Sequence, residues 1–145
     1  CDINELIFTI INDCKADSHE HHLHFLPSDN TLIIKTDRAF LEQIIHNIIY
    51  NALHHTPKNS HIKLEAAKTE KHCQITITDD GPGFPATSLP FVFTKFYRLS
   101  HTATGGIGLG LSIAKGSTEA LNGKIELENS ASGGAKFTIT FPLEA

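Results

Sequence analysis

The feature that most constrains the fold of this chain is a glycine-rich stretch followed directly by a helical pattern. From Gly106 to Gly110 glycine alternates with apolar residues, and an amphipathic pattern then runs through Leu121 to the pair Asn122-Gly123. Closely spaced glycines let several backbone N–H groups point one way, and a helix start adds unpaired donors and the positive end of the helix dipole. This combination predicts an anion site, most naturally for phosphate. A glycine-rich bend between packed elements is the alternative, because neither standard nucleotide fingerprint is matched.

Composition narrows the class of protein. The 145 residues are 40% hydrophobic and 19% charged, which is typical of one globular domain rather than of a disordered chain. A net charge of −4 without a basic stripe predicts no nucleic-acid partner. The three cysteines are widely spaced, which disfavours a disulfide framework or a zinc site and fits a reducing cytosol. No apolar run approaches the length of a membrane span.

Periodicity predicts alternating helices and strands. Asp2 is a candidate N-cap for a helix over Ile3–Lys15, and Asp37 for a second helix that ends at Thr56-Pro57. A third helix follows the glycine motif. Strands are predicted at His22–Leu26, Thr31–Lys35, His61–Ala67, His72–Thr78, Lys124–Asn129 and Ala135–Phe141. This order predicts an α/β (α+β) two-layer sandwich with a mixed sheet.

Ten histidines, several of them in the segment His19–His24, raise the alternative of a metal site. Their spacing matches no established ligand set. Because the segment alternates into Phe25 and Leu26, a solvated strand is the favoured interpretation.

The second predicted helix carries two asparagines four residues apart within a stripe of isoleucine and leucine. Asn47 and Asn51 therefore lie on one face, although asparagine is a poor helix-interior residue because its side chain competes for the backbone. Two amide oxygens at one spot suit a hard cation such as Mg²⁺ held together with substrate phosphates. Polar residues at the edge of an amphipathic face are the alternative.

The predicted strand at His72–Thr78 runs into an aspartate and a sharp bend, Asp79-Asp80-Gly81-Pro82-Gly83. A carboxylate there stands at the mouth of a pocket with no bulky side chain behind it. A buried carboxylate can accept a hydrogen bond from an exocyclic amine, so Asp79 is the candidate for recognising adenine. An ordinary turn is the alternative.

Taken in order, these motifs resemble the ATP-binding catalytic domain of sensor histidine kinases, in the superfamily of gyrase, Hsp90, histidine kinase and MutL. The resemblance covers nearly the whole chain. The segments similar to the family's boxes are Asp37–Pro57 (N box), Asp79–Phe84 (G1 box), Phe91–Arg98 (F box), Gly106–Leu111 (G2 box) and the closing hairpin with Gly133-Gly134-Ala135, Phe137 and Pro142.

The resemblance implies a Bergerat ATP-binding fold, in which a mixed, mostly antiparallel sheet packs on three helices and ATP lies between the N-box helix and a lid. Asn51 would bind Mg²⁺, and Asn47 would assist it through the phosphates as the second catalytic residue. Asp79 would bind the adenine amine. The other ATP-binding residues that the resemblance implies are His54, Gly81, Gly83, Phe93, Phe96, Arg98, Gly106, Gly108, Leu109, Gly110 and Leu111.

One position separates a kinase from a hydrolase in this resemblance. The superfamily's ATPases have a glutamate four residues before the metal asparagine, and it activates a water molecule. Here the residue is Asn47, whose amide cannot take a proton near neutral pH. The expected activity is therefore transfer of the ATP γ-phosphoryl group to a histidine of another domain. A nucleotide-binding regulatory domain and an anti-sigma-type serine kinase domain are the alternatives, although such serine kinases resemble the ATPases in carrying the glutamate.

Two features depart from the common family pattern. His54 stands where a lysine that reaches the phosphates is usual, and the linker Leu99–Thr104 is short for a lid. The short linker and the Gly-Gly-Ala ending resemble the potassium-sensing (KdpD-like) subgroup.

Residues 1–145 are thus expected to form one catalytic and ATP-binding domain. The chain contains no helical hairpin with a phosphoacceptor histidine, so the dimerisation domain that would carry it is expected upstream of Cys1. The resemblance implies that domain and a response regulator as partners. It also implies a homodimeric full-length protein, with this domain in the cytoplasm and an anchor in the cell membrane.

Overall fold

A computed structural model describes residues 1–15, 20–29, 31–94, 110–131 and 133–143 of the chain. Within these ranges lie three α-helices, one 3-10 helix and five strands. In chain order they are α1 (Ile3–Cys14), β1 (His22–Leu26), α2 (Arg38–His55), β2 (His61–Lys68), β3 (His72–Asp79), the 3-10 helix (Leu89–Phe91), α3 (Gly110–Ala120), β4 (Lys124–Asn129) and β5 (Ala135–Pro142).

The five strands form one sheet in the order β1-β2-β3-β5-β4. Only β1 and β2 pair in parallel, and the three other pairs are antiparallel. The predicted two-layer architecture, with a mixed and mostly antiparallel sheet and three helices, is confirmed. The described helices include none that is long and apolar enough to cross a membrane.

Local sequence accounts for the helix starts and for the buried layer between the helices and the sheet. The Asp2 and Asp37 carboxylates accept the N–H groups of Glu5 and Phe40 at 3.2 Å, as N-caps do. Helix α2 then buries one apolar face against the inward-pointing residues of the central strands. The buried residues of α2 are Leu41, Ile44, Ile45, Ile48, Ile49 and Ala52.

The predicted strand at Thr31–Lys35 is wrong. Only one isolated bridge, between Ile33 and Asp2, forms there. Ile34 N–H donates to the carbonyl of Cys1 at 3.0 Å, and Ile3 N–H donates to the carbonyl of Leu32 at 2.9 Å. The segment therefore pairs with the residues before α1 instead of joining the sheet, and its apolar alternation buries Leu32 and Ile34 in the core.

Candidate ATP-binding site

The polar face of α2 presents two asparagines whose side chains have no hydrogen-bond partner in the described part of the chain. Asn47 and Asn51 are both half-buried, one helical turn apart, while Ile48 and Ala52 next to them are buried in the core. An amide at the edge of a core costs free energy unless water or a ligand pairs with it. The two side chains are therefore available to a cation or a phosphate, as their spacing predicts.

His54 lies on the same helix, one turn beyond Asn51, and is exposed. Its Nδ1 is 2.9 Å from the carbonyl oxygen of Tyr50, and the two rings lie 4.0 Å apart between centroids. The imidazole is thus supported by an exposed aromatic ring, and its Nε2 has no hydrogen-bond partner among the described residues.

Asp79 is buried at the end of β3, with 8% of its surface exposed. Its Oδ1 accepts the N–H groups of Gly81 at 3.0 Å and Ala135 at 3.2 Å, while no donor among the described residues reaches Oδ2. Burial raises the pKa of this carboxyl above its ordinary value; the two N–H groups oppose that shift, and the charge of Asp80 adds to it. One carboxylate oxygen is fixed by the backbone, and the other can accept a ligand N–H group.

The β4–β5 hairpin packs its Gly134 directly on Asp79. A Cβ atom at Gly134 would overlap the carbonyl oxygen of Asp79 and would lie 2.7 Å from its carbonyl carbon. Because the two atoms that this Cβ would meet belong to the backbone of β3, they cannot move aside cheaply. The close approach places Ala135 N–H within reach of the carboxylate.

Replacing Gly134 with alanine should therefore destabilise the fold by about 1–3 kcal/mol, the usual cost of overpacking. Gly116→Ala is the matched control, because Gly116 lies in α3 with open space around its missing Cβ. That change should instead stabilise the fold by about 0.5–1 kcal/mol, since alanine is the better helix residue. Urea unfolding of both variants measures the difference, and equal free energies would contradict the proposed close contact.

The loop after Asp79 turns at Gly83, whose φ is +73°, a conformation that side chains other than glycine rarely adopt. The loop then buries the ring of Phe84, which packs edge-on against Phe137 at 6.3 Å between centroids. Phe93 packs on the same Phe137 at 6.4 Å, at the start of the predicted F box. The aromatic residues thus join the loop after Asp79 to the core.

Helix α3 begins at Gly110 and packs against α2. The glycine motif predicts that N–H groups at this helix start face a phosphate, and this stays a prediction because residues 101–109 lie outside the described part of the chain. The Leu111 side chain is buried in the core, so contact between this residue and a nucleotide would be through its backbone. The predicted site residues Phe96, Arg98, Gly106, Gly108 and Leu109 lie outside the described residues.

Sequence patterns missed two polar groups that support the site. Thr56 lies beside Gly81, donates its hydroxyl to the carbonyl of Ala52 at 2.7 Å and stands 2.9 Å from His21 Nε2. Asn129 contacts the loop after Asp79 from across the hairpin. The contacts of Thr56 with Gly81 and His21, and of Asn129 with Phe84, join residues far apart in the sequence, so no local pattern predicts them.

The fold and the site together define the class of protein. The family model for histidine kinase-, DNA gyrase B- and HSP90-like ATPases matches residues 36–145, which is most of the chain. The chain belongs to this family.

Its relatives are sensor kinases. The sensor protein KdpD of Clostridium acetobutylicum is 31% identical over an alignment of 97% of this chain and 16% of KdpD. The sensor histidine kinase WalK of Bacillus subtilis is 33% identical over 85% of this chain and 21% of WalK. The catalytic domain of the histidine kinase ThkA, solved without nucleotide, has a TM-score of 0.87 at 26% identity and covers 99% of this chain and 94% of that one. The chain thus spans only a small part of the curated relatives that it matches.

Proposed function

We propose that this domain binds Mg-ATP and transfers the γ-phosphoryl group to a histidine on a separate dimerisation domain of the same protein. The main support is the α2 face, where Asn47 and Asn51 offer amides with no hydrogen-bond partner among the described residues, and where position 47 carries no carboxylate. A site that orients phosphates without a base to activate water is suited to transfer to another nucleophile.

The residues present fit a magnesium ion. Mg²⁺ usually takes one or two protein oxygens together with waters and substrate phosphates, and Asn51 with Asn47 beside it offers such oxygens. When bound, Mg²⁺ would neutralise charge on the phosphates. The chain's own residues bind the other parts of ATP. Asp79 accepts a hydrogen bond from the adenine amine through Oδ2, and the start of α3 donates N–H groups to the phosphates.

The proposed partners follow from the relatives, which are named as sensor proteins and sensor histidine kinases. They are a phosphoacceptor dimerisation domain encoded before Cys1 and a response regulator that receives the phosphoryl group. We further propose a homodimeric full-length protein with this domain in the cytoplasm and an anchor in the cell membrane. Membership of the potassium-sensing subgroup stays a prediction, because WalK matches at an identity similar to that of KdpD.

The test is to incubate the full-length protein with radiolabelled Mg-ATP and to determine the chemistry of the labelled residue. The proposal expects label that is lost in acid and retained in alkali, as for phosphohistidine, and that disappears when the upstream histidine is replaced. Acid-stable label would instead indicate the serine kinase alternative. Mg-ATP binding without any labelling would indicate the regulatory alternative.

Replacing His54 with lysine should strengthen the binding of Mg-ATP. His54 is exposed one helical turn beyond Asn51, where a lysine would add a fixed positive charge on a long side chain that can extend toward the phosphates. His54→Ala should bind Mg-ATP no more tightly than the wild type. Titration calorimetry measures the three affinities, and equal affinities in all three proteins would show that residue 54 does not contact the phosphates.

A further inference from the structure

The side chain of Asn129 bridges the backbone of Phe84, 45 residues away along the chain. Its Oδ1 accepts the N–H group of Phe84 at 2.9 Å, and its Nδ2 donates to the carbonyl of Phe84 at 2.7 Å. Asn129 ends β4, and the turn that follows is closed by a hydrogen bond from Ser130 N–H to the Gly134 carbonyl at 2.6 Å. The carboxamide therefore joins the end of β4 to the loop after Asp79.

That loop has few other hydrogen bonds to hold its shape. Gly81 N–H donates to the carboxylate of Asp79, and Pro82 has no N–H group. A Cβ atom at Gly83 would lie only 2.7 Å from Asn129 Oδ1, so the asparagine also packs closely on the turn. The Asn129 carboxamide thus supplies the hydrogen bonds at the far end of the loop.

The hydrogen bonds from Asn129 also fix the backbone of Phe84, whose ring is buried. The Phe84 ring is 6% exposed, and its centroid lies 5.7 Å from that of His55 on α2. Asp79 holds one end of the loop through backbone hydrogen bonds, and Asn129 with the Phe84 ring holds the other. Gly81 lies in the loop between these two fixed ends.

We propose that Asn129 is a positioning residue for base recognition: it holds the loop of Gly81 and Gly83 where a purine can reach Oδ2 of Asp79. This inference rests on the proposed function, because it assigns the loop to the base of ATP. The chemistry requires a carboxamide, which pairs with a backbone N–H and a backbone carbonyl at once. A carboxylate has no N–H to give to the carbonyl of Phe84, and alanine makes neither bond.

The test is calorimetric titration of the wild type, Asn129→Ala and Asn129→Asp with Mg-ATP, Mg-GTP and magnesium triphosphate. Both variants should bind Mg-ATP about tenfold more weakly, as expected for the loss of one or two hydrogen bonds. The preference for ATP over GTP should fall, because a loose loop no longer holds the base against Asp79. Affinity for inorganic triphosphate, which has no base, should not change.

Glu128→Gln is the neighbouring control, since Glu128 is exposed on the same strand and should leave all three affinities as in the wild type. Asn129→Asp keeps the acceptor for Phe84 N–H, so it tests the inference even if the alanine variant does not fold. Wild-type affinities in both Asn129 variants would overturn this inference and leave the proposed function intact. An equal loss for all three ligands would overturn it in favour of a general structural role. Failure of the wild type to bind Mg-ATP would overturn the proposed function and this inference with it.

Discussion

Replacing Asp79 with asparagine should lower the affinity for Mg-ATP by at least about tenfold while the domain stays folded. The native Oδ1 accepts the N–H groups of Gly81 and Ala135, and these two donors fix which way an asparagine amide can lie. Its oxygen must take the place of Oδ1, and its NH₂ group then replaces Oδ2. A donor would face the donor of the adenine amine, and a hydrogen bond to a charged acceptor worth about 1.5–3 kcal/mol would be lost.

The opposite orientation of the asparagine amide is also unfavourable. It would place an NH₂ group against two backbone N–H groups that are buried with Asp79, and unpaired buried donors cost about 1–3 kcal/mol. Titration calorimetry measures the loss of affinity. Unchanged affinity would show that Asp79 does not bind the base.

The same variant should be at least as stable as the wild type near neutral pH. Because burial raises the pKa of Asp79, the folded state binds this proton more tightly than the unfolded state. The wild type therefore loses stability as the pH rises from the ordinary pKa of an aspartate carboxyl through the raised pKa of Asp79. The variant lacks this loss. Its free energy of unfolding should therefore exceed that of the wild type at neutral pH, and the difference should vanish in acid below both pKa values. Unfolding curves at several pH values test the sign.

Asp80→Asn is the matched control for the measurement of affinity. Asp80 is exposed, and its Oδ1 accepts the N–H group of His61 at 2.7 Å, which an asparagine oxygen can also do. This variant makes the same change in charge one residue away, and it should leave the affinity for Mg-ATP near the wild-type value. A large loss in Asp80→Asn would assign the effect to net charge rather than to the hydrogen bond.

The elements that the sequence predicted well are those whose signals are local. Asp2 and Asp37 cap their helices as expected, and β1 and β4 have the predicted bounds. Each of these depends on a capping residue or an alternation of burial within a few residues. The order of these elements then predicted the two layers and the mixed sheet. The resemblance to a known family added that the sheet is mostly antiparallel and packs on three helices.

The failed element and the missed contacts depend on partners far along the chain. Thr31–Lys35 alternates like a strand, but its hydrogen bonds go to the residues around Asp2. The hydrogen bonds from Asn129 to Phe84 likewise join residues with no shared motif. The resemblance implied that Gly81 and Gly83 contact the nucleotide. In the structure a Cβ atom at Gly81 would meet the side chain of Thr56, and one at Gly83 would meet Asn129, so the protein's own groups already lie close to both glycines.

Replacing Asn47 with glutamate should increase ATP hydrolysis by this domain. The change introduces a carboxylate four residues before Asn51, the position at which the superfamily's ATPases have a glutamate. The wild type should release phosphate slowly, since an amide cannot accept a proton from water near neutral pH. A well-placed general base contributes about 10²–10⁴-fold to a rate. Asn47 is half-buried, so a longer charged side chain can extend from α2 while its carboxylate stays in contact with water.

Asn47→Gln separates the base from the change in length, because glutamine has the size of glutamate and no proton acceptor of comparable strength. Phosphate release at saturating Mg-ATP should therefore be fast in Asn47→Glu and slow in both Asn47→Gln and the wild type. Affinity for ATP should fall in the glutamate variant alone, because the new charge repels the phosphates. Equal rates for glutamate and glutamine would show that residue 47 does not reach the attacking water. Rapid release by the wild type would contradict the kinase proposal, since the domain would then activate water without a carboxylate at this position.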